Sequence, residues 1–150
     1  MGDDDGCFES ALAAVRRFGG VLEHPEASHA WKWFGLDRPS KSGGWIVADA
    51  VGGFTCCVEQ GHYGHLARKA TWLYTVGIHP ADLLGRLTWG PSTTGVRLDH
   101  GYHSAEERKL AVEAGAHKPR RRLSRKQNLA TPTPFRDLLL SMAASVRLFP

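Results

Sequence analysis

Apolar residues recur at three- and four-residue steps along Phe8, Ala11, Leu12, Val15 and Phe18, which predicts an amphipathic helix over 7–18. Asp3 to Asp5 lie ahead of it, where negative charge suits a helix N-terminus, and Gly19-Gly20 supply the stop. Val21-Leu22 follow as a short apolar run, read as a buried strand that closes at Glu23-His24-Pro25, since proline cannot extend a central ladder. Helical steps return at Ala27, Ala30, Trp31 and Phe34. They predict a second helix over 26–34, or one starting two residues later if Ser28 is its cap, with Gly35 as its end. Beyond a polar loop at 37–43 come three strand-like runs, 45–50, 54–60 and 70–76. Gly52-Gly53 between the first two predicts a hairpin turn.

From 80 to 103 the pattern weakens to glycine-rich irregular chain, with one short helix predicted at 81–84. Ser104 followed by Glu107 has the spacing of a capping box and predicts a polar helix over 104–115. The last helix is well marked over 134–147: Thr133 is the expected cap, Pro134 suits the first turn, and Phe135, Leu138, Leu139, Met142, Ala143 and Val146 share one stripe. No internal repeat is apparent. The length of 150 residues suits one core rather than two.

Charge adds one feature. The net charge of +4 is concentrated in Lys118, Arg120, Arg121, Arg122, Arg125 and Lys126; without these six, 13 basic residues face 15 acidic ones. Such a block favours a polyanion through phosphate neutralisation, and it serves equally as a solvated linker. No run approaches the roughly 18 apolar residues of a membrane span. The acidic N-terminus is unlike a secretory signal, so a cytoplasmic protein is expected. Cys7, Cys56 and Cys57 form an odd set without ligand spacing, expected reduced. The adjacent pair lies on a strand, which sends the two thiols to opposite faces. His62-x-x-His65 and His100-x-x-His103 lack matching cysteines and are read as surface histidines, with no metal expected. The tryptophans are expected in packing, Trp33 being the best candidate for exposure because it lies off its helix stripe.

Two segments carry candidate chemistry. Glu23 ends a strand, where open α/β sheets place ligands; a carboxylate there accepts from an amidine-like base edge, or it caps a helix or pairs with an arginine. Tyr63-Gly64, Arg68-Lys69 and the strand ending Val76-Gly77 form a compact strand–turn–strand unit with a basic tip, equally readable as an ordinary edge hairpin.

Together, Glu23-His24-Pro25 with Ser28 and Trp31, then Tyr63-Gly64, Arg68-Lys69 and Val76-Gly77, resemble the cytosine-C5 DNA methyltransferase family and its shorter phage and bacterial relatives. The likeness covers roughly residues 7–78. It implies an α/β fold with a partial Rossmann-like mixed sheet, a β-hairpin and flanking helices. It also implies that Glu23 contacts a flipped base, and that Tyr63 with Arg68 or Lys69 lines the base-side pocket. A phage or mobile-element origin fits it.

The departures are substantial. No Pro-Cys nucleophile and no Gly-x-Gly loop for S-adenosylmethionine occurs in the chain. The expectation is therefore a truncated or degenerate methyltransferase-like half-domain that contacts DNA and is inactive alone. S-adenosylmethionine enters only if a second chain supplies its binding half, and a homodimer or partner would complete the sheet. The organisation expected is a half-domain over 1–78, an irregular and helical connector over 79–117, a basic linker over 118–132 and a terminal helix over 133–150. Two rivals stand beside it: a non-enzymatic nucleic-acid-binding module using the 118–126 block, and a structural protein completed by a partner.

Overall fold

A computed structural model describes residues 5–94, 105–115 and 123–147. Helix α1, Cys7–Phe18, follows the apolar stripe and buries Phe8 and Leu12. Glu9 in its first turn and Arg16 and Arg17 in its last complement the helix dipole. Gly19 stops it with φ 72° and returns its N–H to Val15 O. Strand β1, Gly20–Pro25, follows directly. Helix α2 is the shorter of the two expected versions, His29–Trp33, because the Ser28 hydroxyl accepts from Ala30 N at 3.2 Å. Ala27 at φ 63° belongs to the turn before that cap.

The remaining strands are β2 (Ile46–Val47), β3 (Phe54–Glu59) and β4 (Ala70–Val76), in the order β1-β4-β3-β2. The α/β expectation holds at that level. The sheet itself differs from the expected one: all three pairings are antiparallel, which is not typical of a Rossmann-like half. β1 is also an edge strand rather than an inner parallel one. A parallel neighbour needs a crossover that packs back over the sheet. Here the short connection 60–69, which opens with the 3-10 turn Gln60–Tyr63, joins β3 to β4, and β1 lies against the open side of β4. Pro25, without an N–H, suits the end of an edge strand.

Residues 52–53 do turn the β2–β3 hairpin, but the two glycines serve different needs. Gly52 has φ 83°, whereas Gly53 is required because a Cβ there would run into the Tyr74 ring. The first strand shrinks to two exposed residues, since Asp49 leaves the ladder to accept from Val51 N and Gly53 N.

Side-chain alternation divides the interior into two cores. Cys57, Trp72 and Tyr74 face α1 and α2, packing with Phe8, Leu12, Trp31, Leu36 and Ala48. Cys56, Val58 and Leu73 face the other way, toward Ile78, Leu83, Leu87, Phe135 and Met142. The adjacent cysteines thus diverge as the strand period requires.

Helix α5, Thr133–Ala143, covers this second face, and Phe135 and Met142 are fully buried there. Pro132 takes the cap position, so Thr133 lies inside the helix rather than capping it. Helix α3 spans Ala105–Glu113; its proposed cap Ser104 lies outside the described residues. Helix α4, Arg125–Leu129, forms within the stretch expected to be a linker. Ser124 and Gln127 close a reciprocal capping box that sequence reading passed over because the surrounding charge dominated. The short helix expected at 81–84 is a 3-10 turn, Pro80–Leu83.

Candidate functional site

Antiparallel partners share a face, so the registers Glu23↔Leu73 and Leu73↔Cys56 place Glu23 on the α5 side of the sheet. Thr71, two residues before Leu73, is on that side too. Gln60, just past the end of β3, is fully buried and ties them together. Its Nε2 donates to Thr71 Oγ1 at 2.9 Å and to Glu23 Oε1 at 3.2 Å. Gln60 Oε1 is buried with no hydrogen-bond partner among the described residues.

Lys69 reaches the same corner. Its Nζ donates to Ala130 O at 2.9 Å, just beyond α4. Burial pulls the Lys69 ammonium below the ordinary lysine range, and the Glu23 charge offsets this only in part. His65 supplies a second tie to α4. Its Nδ1 lies 3.0 Å from Ala67 N and 2.9 Å from Ala67 O, and its Nε2, facing a carbonyl, donates to Gln127 O at 3.1 Å. His65 is therefore buried, not the surface histidine expected from its glycine-rich surroundings. His62 Nε2 lies 3.0 Å from Gly90 O.

Arg68 stands elsewhere. It grips Glu59, with Nη2 to Oε1 at 2.7 Å and Nε to both oxygens at 3.0 Å. Glu59 follows Cys57 by two residues and so belongs to the α1 side. Burial acts to raise the Glu59 carboxyl, but Arg68 and the Ser92 N–H, 2.6 Å from Oε2, hold it below the ordinary range. Near this pair lies a cleft of about 620 Å³ lined by Glu26, Lys41, Cys57, Glu59 and Arg68 among others. Burial, with help from Glu26 and Glu59, pushes the Cys57 thiol up to about 11. A neutral, buried thiol is not an activated nucleophile.

Of the four residues expected to form one pocket, Glu23 and Lys69 come together and Arg68 faces the opposite side. Tyr63 is on the α5 side but serves packing: its ring lies 5.2 Å from Phe135, and its hydroxyl accepts from Thr88 N at 3.0 Å. Arg125 and Lys126 are exposed at the start of α4, while Lys118, Arg120, Arg121 and Arg122 lie outside the described residues, as do His100 and His103. Among the described residues no group of three or more His, Cys, Asp or Glu could hold a metal, and no helix is long and apolar enough to cross a membrane. Trp33 is 75 % exposed, as expected, whereas Trp31 and Trp72 are buried in the first core.

Fold and corner together define an α/β domain with helices on both faces of a small antiparallel sheet. No protein-family model, curated protein or solved structure matches this chain.

Glu59, Gln60 and Thr71 lie in the candidate strand–turn–strand segment but were given no role from the sequence, and His65 was expected at the surface. One signal was present: strand alternation continued through Val58, Glu59 and Gln60 assigns neighbouring polar groups to opposite faces.

Proposed function

We propose that this chain contacts DNA, with the 118–126 basic run on phosphates and the Glu23–Gln60–Thr71–Lys69 corner as the remnant of a base-side pocket related to methyltransferase-like proteins. The supporting observation is the attachment of α4. Arg125 and Lys126, the end of the basic run, open a helix whose last carbonyls are held by His65 and Lys69 beside Glu23. Phosphate contacts and a base-reading carboxylate then share one side of the molecule.

Methyl transfer by this chain alone is not part of the proposal. The Rossmann-type donor site that the resemblance implies, a glycine loop after a parallel strand, is not among the described residues, whose pairings are antiparallel. A second copy pairing along β1 belongs to the same reading, since β4 is the one described neighbour of that strand. A monomer in sedimentation at high concentration removes that element.

The test is titration of labelled duplex DNA across salt concentrations. Binding should weaken steeply with salt, and replacing Arg120, Arg121 and Arg122 by alanine should reduce the slope by about 3. Lys69→Ala should weaken binding with a smaller change in slope. Binding that is absent, or indifferent to salt, rejects the proposal.

A further inference from the structure

We infer that the cleft on the α1 side of the sheet is a phosphate-binding site. It goes beyond the DNA reading, because it uses neither the basic run nor the Glu23 corner.

The cleft volume of about 620 Å³ lies in the range of small-ligand sites, roughly 300–1,000 Å³. Its lining carries two cations, Lys41 and Arg68, against two carboxylates, Glu26 and Glu59, while the bordering Lys69 turns its ammonium away to Ala130 O. Each carboxylate is already matched. Glu59 takes the Nε and Nη2 edge of Arg68 and the Ser92 N–H, and Glu26 Oε1 lies 2.7 Å from Lys41 Nζ.

The donors are not used up. Arg68 Nη1 makes no hydrogen bond among the described residues, so a guanidinium fixed along one edge still presents its outer N–H groups. Among the described residues Lys41 is tied to Glu26 alone, and its side chain is 83 % exposed, which leaves further ammonium donors for a second anion. The Ser42 hydroxyl, 2.7 Å from Ser40 Oγ, completes that wall. The floor holds the neutral Cys57 thiol, which does not repel an anion.

A cation is the poorer occupant. Both carboxylates are paired, and the described residues form no metal-ligating group of three. An oxyanion able to bridge a fixed guanidinium and an ammonium is the matching chemistry. Such a phosphate belongs either to a free monoester or to a nucleic-acid backbone.

The full chain is titrated calorimetrically with inorganic phosphate, a 5′-mononucleotide and a short single-stranded oligonucleotide without terminal phosphate. Lys41→Ala should weaken binding about tenfold with an unchanged thermal melt, and Lys41→Arg should restore it. Arg68→Ala should abolish it. Because that variant strands a buried Glu59 and so threatens folding itself, the exposed Lys41 carries the decision. Response to phosphate and mononucleotide alone assigns a free monoester, and an equal response to the oligonucleotide assigns a backbone phosphate. No heat with any probe at millimolar concentration, or binding untouched by Lys41→Ala, overturns the site. Alanine at Arg120, Arg121 and Arg122 should leave phosphate binding intact. Loss there with Lys41→Ala silent overturns the cleft and leaves the DNA reading standing.

Discussion

Gln60 Nε2 sits 3.2 Å from Glu23 Oε1 and 2.9 Å from Thr71 Oγ1, so one buried amide joins residues on β1 and β4 to the end of β3. Gln60 and Glu23 are 37 positions apart in the chain and have no local reason to meet. The link is specific to this packing.

Gln60→Ala should therefore be costly. It removes two hydrogen bonds and opens a cavity at a fully buried position, with an expected loss of about 2–4 kcal/mol in urea unfolding. A loss under about 0.5 kcal/mol would mean that the corner is solvated and holds nothing together.

The tie between α4 and the sheet should be polar and local. No α4 residue is fully buried, and the contacts holding it include His65 to Gln127 O and Lys69 to Ala130 O. His65→Ala should speed amide exchange over 123–130 roughly tenfold while β3 and β4 keep their protection. Uniform acceleration throughout the chain would instead make His65 a residue of the global core.

Acid should weaken the clamp between α1 and the hairpin. Asp49 Oδ2 accepts from the Tyr74 hydroxyl at 2.8 Å and from Arg16 Nη2 at 2.9 Å. Burial acts to raise the Asp49 carboxyl, but these bonds and the Gly53 N–H outweigh it and lower the folded value. A depressed folded value means stability that is fully present above the unfolded value, ordinarily 3.8, and lost as pH falls through the folded one. Glu59 acts in the same direction from an ordinary 4.5. Stability should fall from roughly pH 5 downward, with a shallower fall in Asp49→Asn. Equal pH slopes for the two proteins would remove Asp49 from the account.

The thiols should separate by accessibility. Cys7 is exposed, while Cys56 and Cys57 are buried and burial raises both, Cys56 well above the ordinary value and Cys57 to about 11. A thiol reagent at pH 8 should modify one cysteine quickly in the native protein and all three after unfolding. Rapid native modification of Cys57 would show that its cleft is far more open than described.

Arg68 shows why the site was only half legible. Local periodicity was enough for β3, β4 and α1, because a strand or helix face is written in neighbouring residues. The same rule carried the split of Cys56 from Cys57. It did not reveal that Arg68 would turn to Glu59, since that choice depends on which face β3 offers at the end of its ladder.

The chain's hydrophobic periods, caps and glycines thus determined α1, α5, the hairpin and the two long strands, because those signals act over a few residues. Strand partners, the edge position of β1 and the separation of Glu23 from Arg68 were decided only by tertiary structure. Hydrogen-bond ladders pair strands from distant parts of the sequence, and the side of the sheet a charge occupies follows from that pairing.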